Sequence, residues 1–384
     1  MRILHVITSI DPATGGPAEG LKQYCRNYIS QGAEVEVLTL DDPQKAAGWE
    51  FPARVHAVGP GRGVYRYTPG AVSWLEKNVG RFDLVVINGV WNYNTLAAYR
   101  VLRKQKVPYA VFTHGMMDPY FKRAFPAKHL KKLLYWHLFL KRILNHASAV
   151  LFTAEDEKIL ARQSFPGYKV REQVIPYGTY GPEFDRERAE AAFFDKYPEL
   201  RGKRLALTLG RIDPKKGTDI LIEAFAQSLA KDPAWQLVIA GPDRVGWRKE
   251  LEAQAARLGI GERITWTGML QGELKWGAFH GSECFVLPSH QENFGIVVAE
   301  ALACNLPVLL SDKVNIWREV VNQWAGMVCD DSVVGTTQML ALWAELSPEE
   351  RAAVRQRALR CFDRNFNYSR TASRIMEIYQ GLVR

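Results

Sequence analysis

Glu292 and Glu300 stand eight residues apart in the stretch PSHQENFGIVVAEALACNLPV, residues 288–308. An apolar strand pattern at 284–287 ends at Pro288, a polar turn follows, and Phe294-Gly295 opens an apolar helical pattern. A strand-to-helix junction presents free backbone N–H groups and the positive end of a helix dipole, which together attract an anion. With a helix beginning near Phe294, both acids project from one side, within about 12 Å of each other. Ionised carboxylates accept hydrogen bonds strongly and suit the vicinal hydroxyls of a sugar or ribose. As solvated helix-end acids they would do no chemistry. The order of strand, proline, acid, Phe-Gly, helix and second acid argues for a ligand. The candidate contacts here are Glu292, Asn293, Phe294, Gly295, Ile296 and Glu300.

A second junction, GRIDPKKGTDILIEAF at 210–225, puts Arg211 and Lys216 on a short turn before a helix. Two cations there suit a diphosphate, arginine binding two oxygens and lysine acting as a point charge. A third, Gly15-Gly16-Pro17, follows the first strand pattern, and its glycines let backbone approach a phosphate or sugar closely. His114-Gly115 follows the run at 109–112, where ligands of open α/β sheets gather; Asp118 is nearby. Gly59-Pro60-Gly61-Arg62-Gly63 lacks the spacing of a dinucleotide fingerprint, so a nicotinamide cofactor is not expected. Asp330-Asp331 reads as a pair of exposed acids in a late loop, and the expected metal content is none.

The elements that must position these residues alternate strand and helix. Strand patterns fall at 2–7, 34–40, 54–58, 84–87, 109–112 and 149–152, then at 204–209, 236–240, 264–267, 284–287 and 308–310. Runs this continuously apolar belong to parallel strands covered on both faces. The alternation argues for doubly wound α/β sheets. A break between about 177 and 203 separates two Rossmann-like domains of similar size, placed at 1–180 and 181–368, with a ligand cleft between them.

These motifs resemble the retaining GT-B glycosyltransferases of family 4. Their E-x7-E motif matches at Glu292–Glu300, with Phe294-Gly295 in place, and their G-R-x-x-x-x-K-G segment matches at Gly210–Gly217. The resemblance implies that Glu292 contacts the transferred sugar and Glu300 the ribose hydroxyls. It gives Arg211 and Lys216 the diphosphate, including the charge developing on the leaving group, without a metal. His114 would face the donor sugar, and the 15–17 loop would lie over the donor phosphates or at the acceptor side. No cofactor beyond the nucleotide-sugar donor is implied, and a last helix at about 369–383 would cross back to the first domain. The sequence departs from the family at Asn305, Tyr177 and 313–319. Asn305 stands where glycine is common, and asparagine tolerates positive φ. Tyr177 replaces the frequent Asn of P-N-G, and 313–319 lacks a Gly-Gly, which leaves the sugar open.

The 384 residues carry 50 Lys and Arg against 41 Asp and Glu, a net +9 that favours anionic partners. No apolar run is long enough to span a bilayer, and MRILHVIT reads as a first strand without a secretory pattern. Five scattered cysteines with no C-x-x-C fit a reducing cytoplasm. Segment 122–144, with Lys122, Arg123, Lys128, Lys131, Lys132, Lys141 and Arg142 among Leu, Trp and Phe, fits either a buried face with a solvated basic side or an anionic membrane surface, which would place the protein at the inner membrane face. The expected activity is hexosyl transfer from a nucleoside-diphosphate sugar to a glycan or lipid-linked acceptor in polysaccharide biosynthesis. A nucleotide-sugar 2-epimerase is the enzymatic alternative. A nucleic-acid-binding protein is the other, and against it the charge is dispersed and no recognised binding pattern appears, so no nucleic-acid partner is expected.

Overall fold

A computed structural model describes residues 1–14 and 16–383, the side chain of Ala372 excepted. The chain divides into two compact units, Met1–Tyr177 joined by the segment from Tyr368 onward, and Gly178–Asn367.

The first unit holds a parallel sheet of β1 (Arg2–Ile7), β2 (Glu34–Thr39), β3 (Arg54–Ala57), β4 (Leu84–Asn88), β5 (Tyr109–Phe112), β6 (Ala149–Phe152) and β7 (Glu172–Val174). Their order is β3-β2-β1-β4-β5-β6-β7. Every residue of β4, β5 and β6 is buried, as central strands covered on both faces require. Helix Gly16–Ser30 packs against the terminal helix Tyr368–Val383, where the Tyr28 hydroxyl donates to that of Tyr379 at 3.1 Å. Gly20 makes room for Tyr177 beside this helix: a Cβ there would meet the Tyr177 hydroxyl at 1.7 Å.

The second unit holds β8 (Arg204–Leu209), β9 (Trp235–Ala240), β10 (Ile264–Gly268), β11 (Cys284–Leu287), β12 (Val308–Ser311) and β13 (Gly326–Cys329). They run parallel in the order β10-β9-β8-β11-β12-β13. Its core gathers Leu221, Phe225, Trp235, Leu237, Val286, Leu309 and Trp343.

Both sheets reverse their winding direction at one pair of strands, β1 beside β4 and β8 beside β11. The crevice outside the carboxyl ends of such a pair is where open α/β sheets bind ligands. The strand patterns correspond within one or two residues, except that β7 and β13 were not anticipated. Both are short edge strands of intermediate burial: β7 is three residues and mostly polar, and β13 is four residues opening on a glycine.

Candidate functional site

In the second unit the two chemical motifs follow β8 and β11, the pair at the winding reversal. After β8, the Asp213 carboxylate caps a single turn Pro214–Lys216 by accepting from the Lys215 amide, and Gly217 enters helix Thr218–Gln227 at φ 66. After β11, Gly295 enters helix Ile296–Ala303 at φ 74. Gly217 is required twice over: its φ is left-handed, and a Cβ would meet the Pro288 carbonyl oxygen at 2.1 Å. This contact lets the loops abut. The Ser289 hydroxyl and the His290 amide each donate to the Lys215 carbonyl at 2.9 Å, and the Lys215 ammonium reaches Gln291 Oε1 at 3.1 Å.

The consequence is a direct ion pair between Lys216 Nζ and Glu292 Oε2, each side chain about five-sixths buried. Burial first, then the Lys215 and Arg211 charges, pull the Lys216 pKa down to about 7. The Asp213 carboxylate opposes that pull, and Glu292, in direct contact, likewise favours the charged ammonium. Arg211 is exposed on the same turn. The pair holds a cation and an anion side by side, an arrangement in which an anion can compete with Glu292 for the lysine.

The structure moves Glu292 off the helix. The helix starts at Ile296, two residues later than the sequence pattern indicates, so helical phase does not set the Glu292 side chain. An extended bridge does: the Glu292 amide donates to the Lys313 carbonyl, and the Asn315 amide donates to the Glu292 carbonyl, both at 3.0 Å. Glu300 lies on the second helical turn, where Lys275 meets it at 2.8 Å. Both acids of the motif therefore have a lysine, Lys216 for one and Lys275 for the other. Phe294 is 4% exposed and packs edge-on against Phe366, so its side chain anchors the loop. Asn293 and Ile296 complete the turn at intermediate exposure. Asn305 does adopt positive φ, 56°. Asp331 departs from the expected exposed acid: it accepts from His290 at 2.8 Å and faces Lys313 at 3.7 Å, and its pKa is held below the usual range.

In the first unit, Gly16 begins the helix Gly16–Ser30 and its carbonyl faces the Tyr177 hydroxyl at 3.5 Å; Gly15 lies outside the described residues. His114 follows β5 at φ 48, a strained conformation for a non-glycine residue, with Gly115 at φ 72. The His114 ring lies 4.1 Å from Phe112, and its Nε2 is 3.0 Å from Asn88 Oδ1. Asn88 Nδ2 donates to the Val86 carbonyl at 3.2 Å, which fixes the amide so that Oδ1 must accept. His114 Nε2 therefore carries the proton. Burial pushes the His114 pKa down to about 3, so the ring is neutral and Nδ1 is an acceptor. Asn88 Nδ2 also faces His5 Nδ1 at 3.3 Å. Asp118 turns back to accept from the Tyr120 amide at 2.7 Å.

Glu157 was not anticipated. It is 4% exposed, in the first turn of helix Glu155–Ala161. Its Oε1 accepts from the Thr113 hydroxyl and the Gly115 amide, both at 2.6 Å. Its Oε2 accepts from the Thr153 amide at 2.7 Å and hydroxyl at 2.8 Å. Hydrogen bonds to a charged group return about 1.5–3 kcal/mol each, enough for four to offset the several kcal/mol of burying a carboxylate. Burial still raises its pKa.

Segment 122–144 is not one helix. Phe125-Pro126 breaks it into Tyr120–Ala124 and Pro126–Tyr135, and a π turn, Trp136–Leu140, leads to Lys141–His146. Trp136, Leu140, Ile143 and Leu144 are buried, yet Leu130, Leu134 and Leu138 are 53–70% exposed beside Lys131 and Arg142. The outer face is thus basic and apolar together, where a purely solvated basic side would have been polar. Among the described residues no helix is long and apolar enough to cross a membrane.

Comparison with known proteins follows the same division. Residues 15–178 match the glycosyl transferase 4-like domain, and residues 190–360 match glycosyl transferases group 1. The chain is 26% identical over 363 residues to the GDP-mannose:cellobiosyl-diphosphopolyprenol alpha-mannosyltransferase of Xanthomonas campestris, covering 91% of this chain and 90% of the relative. Among solved structures, sucrose-phosphate synthase from Thermosynechococcus elongatus superposes with a TM-score of 0.80 at 19% identity, over 100% of this chain and 99% of that one. Anabaena HepE in complex with UDP and glucose gives 0.79 at 18% identity, over 99% and 100%.

Proposed function

Because the chain belongs to the glycosyltransferases of family 4 and GT-B fold, we propose that it moves a hexose-type sugar from a nucleoside-diphosphate sugar to a hydroxyl of a glycan or lipid-linked acceptor, with retained anomeric configuration. The observation that carries this reading is the ion pair of Lys216 with Glu292 across the loops that follow β8 and β11. Lys216 and Arg211 receive the diphosphate, two helix starts adding backbone N–H groups. Glu292, relieved of its lysine, contacts the sugar, and Glu300 accepts from the ribose hydroxyls. His114, neutral, accepts from a hydroxyl of the sugar.

In the reaction the bond from the anomeric carbon to the diphosphate oxygen breaks, and the acceptor oxygen bonds to that carbon. The acceptor proton passes to the departing diphosphate. Lys216 and Arg211 meet the negative charge as it develops, so the step calls for no metal. The Xanthomonas relative is named for a GDP-mannose donor and a cellobiosyl-diphosphopolyprenol acceptor, and HepE was solved with UDP and glucose, which supports a nucleotide-sugar donor and a lipid-linked glycan acceptor of the kind polysaccharide biosynthesis would use.

The exposed leucines among lysines on 122–144 support peripheral contact with an anionic membrane at its cytoplasmic face. The five cysteines are unpaired, in keeping with that compartment. Vesicles containing anionic lipid should sediment the protein and zwitterionic ones should not. Equal recovery with both would remove the membrane contact.

The test of function is a panel of UDP-, GDP- and ADP-sugars scored for slow hydrolysis with chelator present. One donor should be turned over without added metal. Epimerisation of donor in the absence of acceptor, or dependence on a divalent ion, would overturn the reading in its two respective parts.

A further inference from the structure

Glu157 is a buried carboxylate that the scheme above does not use. The largest influences on its ionisation are burial and the four hydrogen bonds that oppose it. Folding by itself does not call for such a group, since an apolar contact of similar volume stabilises a core at least as well. What distinguishes Glu157 is what its donors belong to. Thr113 and Gly115 are the residues on either side of His114, and Thr153 directly follows β6, the neighbour of β5. The carboxylate thus pins both flanks of a histidine held at φ 48 to the end of the adjacent strand.

Resting on the reading of His114 as a sugar contact, we infer that Glu157 is the positioning residue of the His114 loop. It fixes the backbone at 113 and 115, so that Asn88 holds the ring as the Nε2–H tautomer and leaves Nδ1 to accept a hydroxyl of the transferred sugar. An amide in its place could not do this. Glu157→Gln presents an NH2 group to two donors where an oxygen stood, and one half of the clamp turns from attraction to repulsion. Glu157→Asp withdraws the carboxylate by one methylene and keeps its acceptor character.

The test is a double-mutant cycle with His114→Ala, read in transfer kinetics on the turned-over donor. Glu157→Gln should lower kcat about 30-fold with donor KM changed by less than about threefold, and Glu157→Asp should recover part of the loss. In the His114→Ala background, Glu157→Gln should cost less than about twofold more, because a group acting through His114 has nothing left to position. Losses that multiply in the double variant overturn the inference. Should Glu157→Gln fail to fold, Thr113→Val removes a single bond of the clamp, with an expected loss of about fivefold that again vanishes in the His114→Ala background.

If the unsubstituted protein turns over no nucleotide sugar, the functional reading fails first, and the clamp is read from long-range proton–nitrogen NMR of the histidines. His114 should show the Nε2–H tautomer in the parent and a mixture in Thr113→Val or Glu157→Gln. An unchanged ring in both variants contradicts it.

Discussion

The two units build their candidate site groups from opposite materials. The loops after β8 and β11 bring together the charges of Lys216 and Glu292, and the helix after β11 sets Glu300 against Lys275 of helix Gly272–His280. The loop after β5 brings together neutral groups, His114 on Asn88, stabilised by a carboxylate turned inward. An ion pair is a reversible arrangement: a phosphate can take the lysine, and the acid then becomes free for a hydroxyl. A buried neutral network is a fixed one, which orients a single acceptor and does not exchange.

Removing the charge should therefore do the most damage. Lys216→Ala is expected to lower kcat/KM for the donor about 1,000-fold, or about 4 kcal/mol of lost stabilisation as charge develops on the leaving group. Steady-state kinetics with the melting curve as control checks this, and a loss under tenfold would break the charged half of the comparison. Gly217→Ala attacks the contact that makes the ion pair possible. With a Cβ 2.1 Å from the Pro288 carbonyl and φ at 66, it should destabilise the protein by about 2–3 kcal/mol and reduce activity more than stability alone explains. Urea titration beside activity separates the two.

The pH profile sharpens the contrast. Diphosphate binding needs charged Lys216, whose pKa is lowered toward about 7, so donor kcat/KM should fall as pH rises past it. Glu292→Gln removes the anion that favours the charged form, so this limb should move to lower pH. His114, pushed down to about 3, stays neutral throughout, and His114→Ala should leave the limb in place. A limb that disappears in His114→Ala would reverse the assignment. The smallest effect belongs to Lys275→Ala, which frees Glu300 from one partner: a change of about two- to fivefold in donor KM with kcat retained.

Much of this was legible in the chain because the motif loops sit between apolar strands and glycine-entered helices, whose signals are local. Lys216 and Glu292 could be named for that reason, although not their contact, which depends on pairing β8 with β11 across 76 residues. The Glu292 position was read from helical phase, and the bridge to 313–315 that sets it is a long-range pairing with no local mark. Glu157 was invisible for a different reason. Glu155, Asp156 and Glu157 together read as acids complementing a helix dipole, and only tertiary packing turns the third inward. Asn88 left a clue, a polar residue ending the otherwise apolar β4. Edge strands β7 and β13 left weak marks because they are short, the first mostly polar and the second opening on a glycine.

The central claim is that Lys216, ion-paired with Glu292, receives the diphosphate of a nucleotide sugar. It is tested most directly by melting the parent protein and Lys216→Ala with saturating UDP, GDP and ADP in turn. One nucleotide should raise the parent melting temperature by several degrees, about what 100-fold saturation gives, and leave Lys216→Ala unmoved. Equal stabilisation of both proteins, or none of the parent by any of the three, would contradict it.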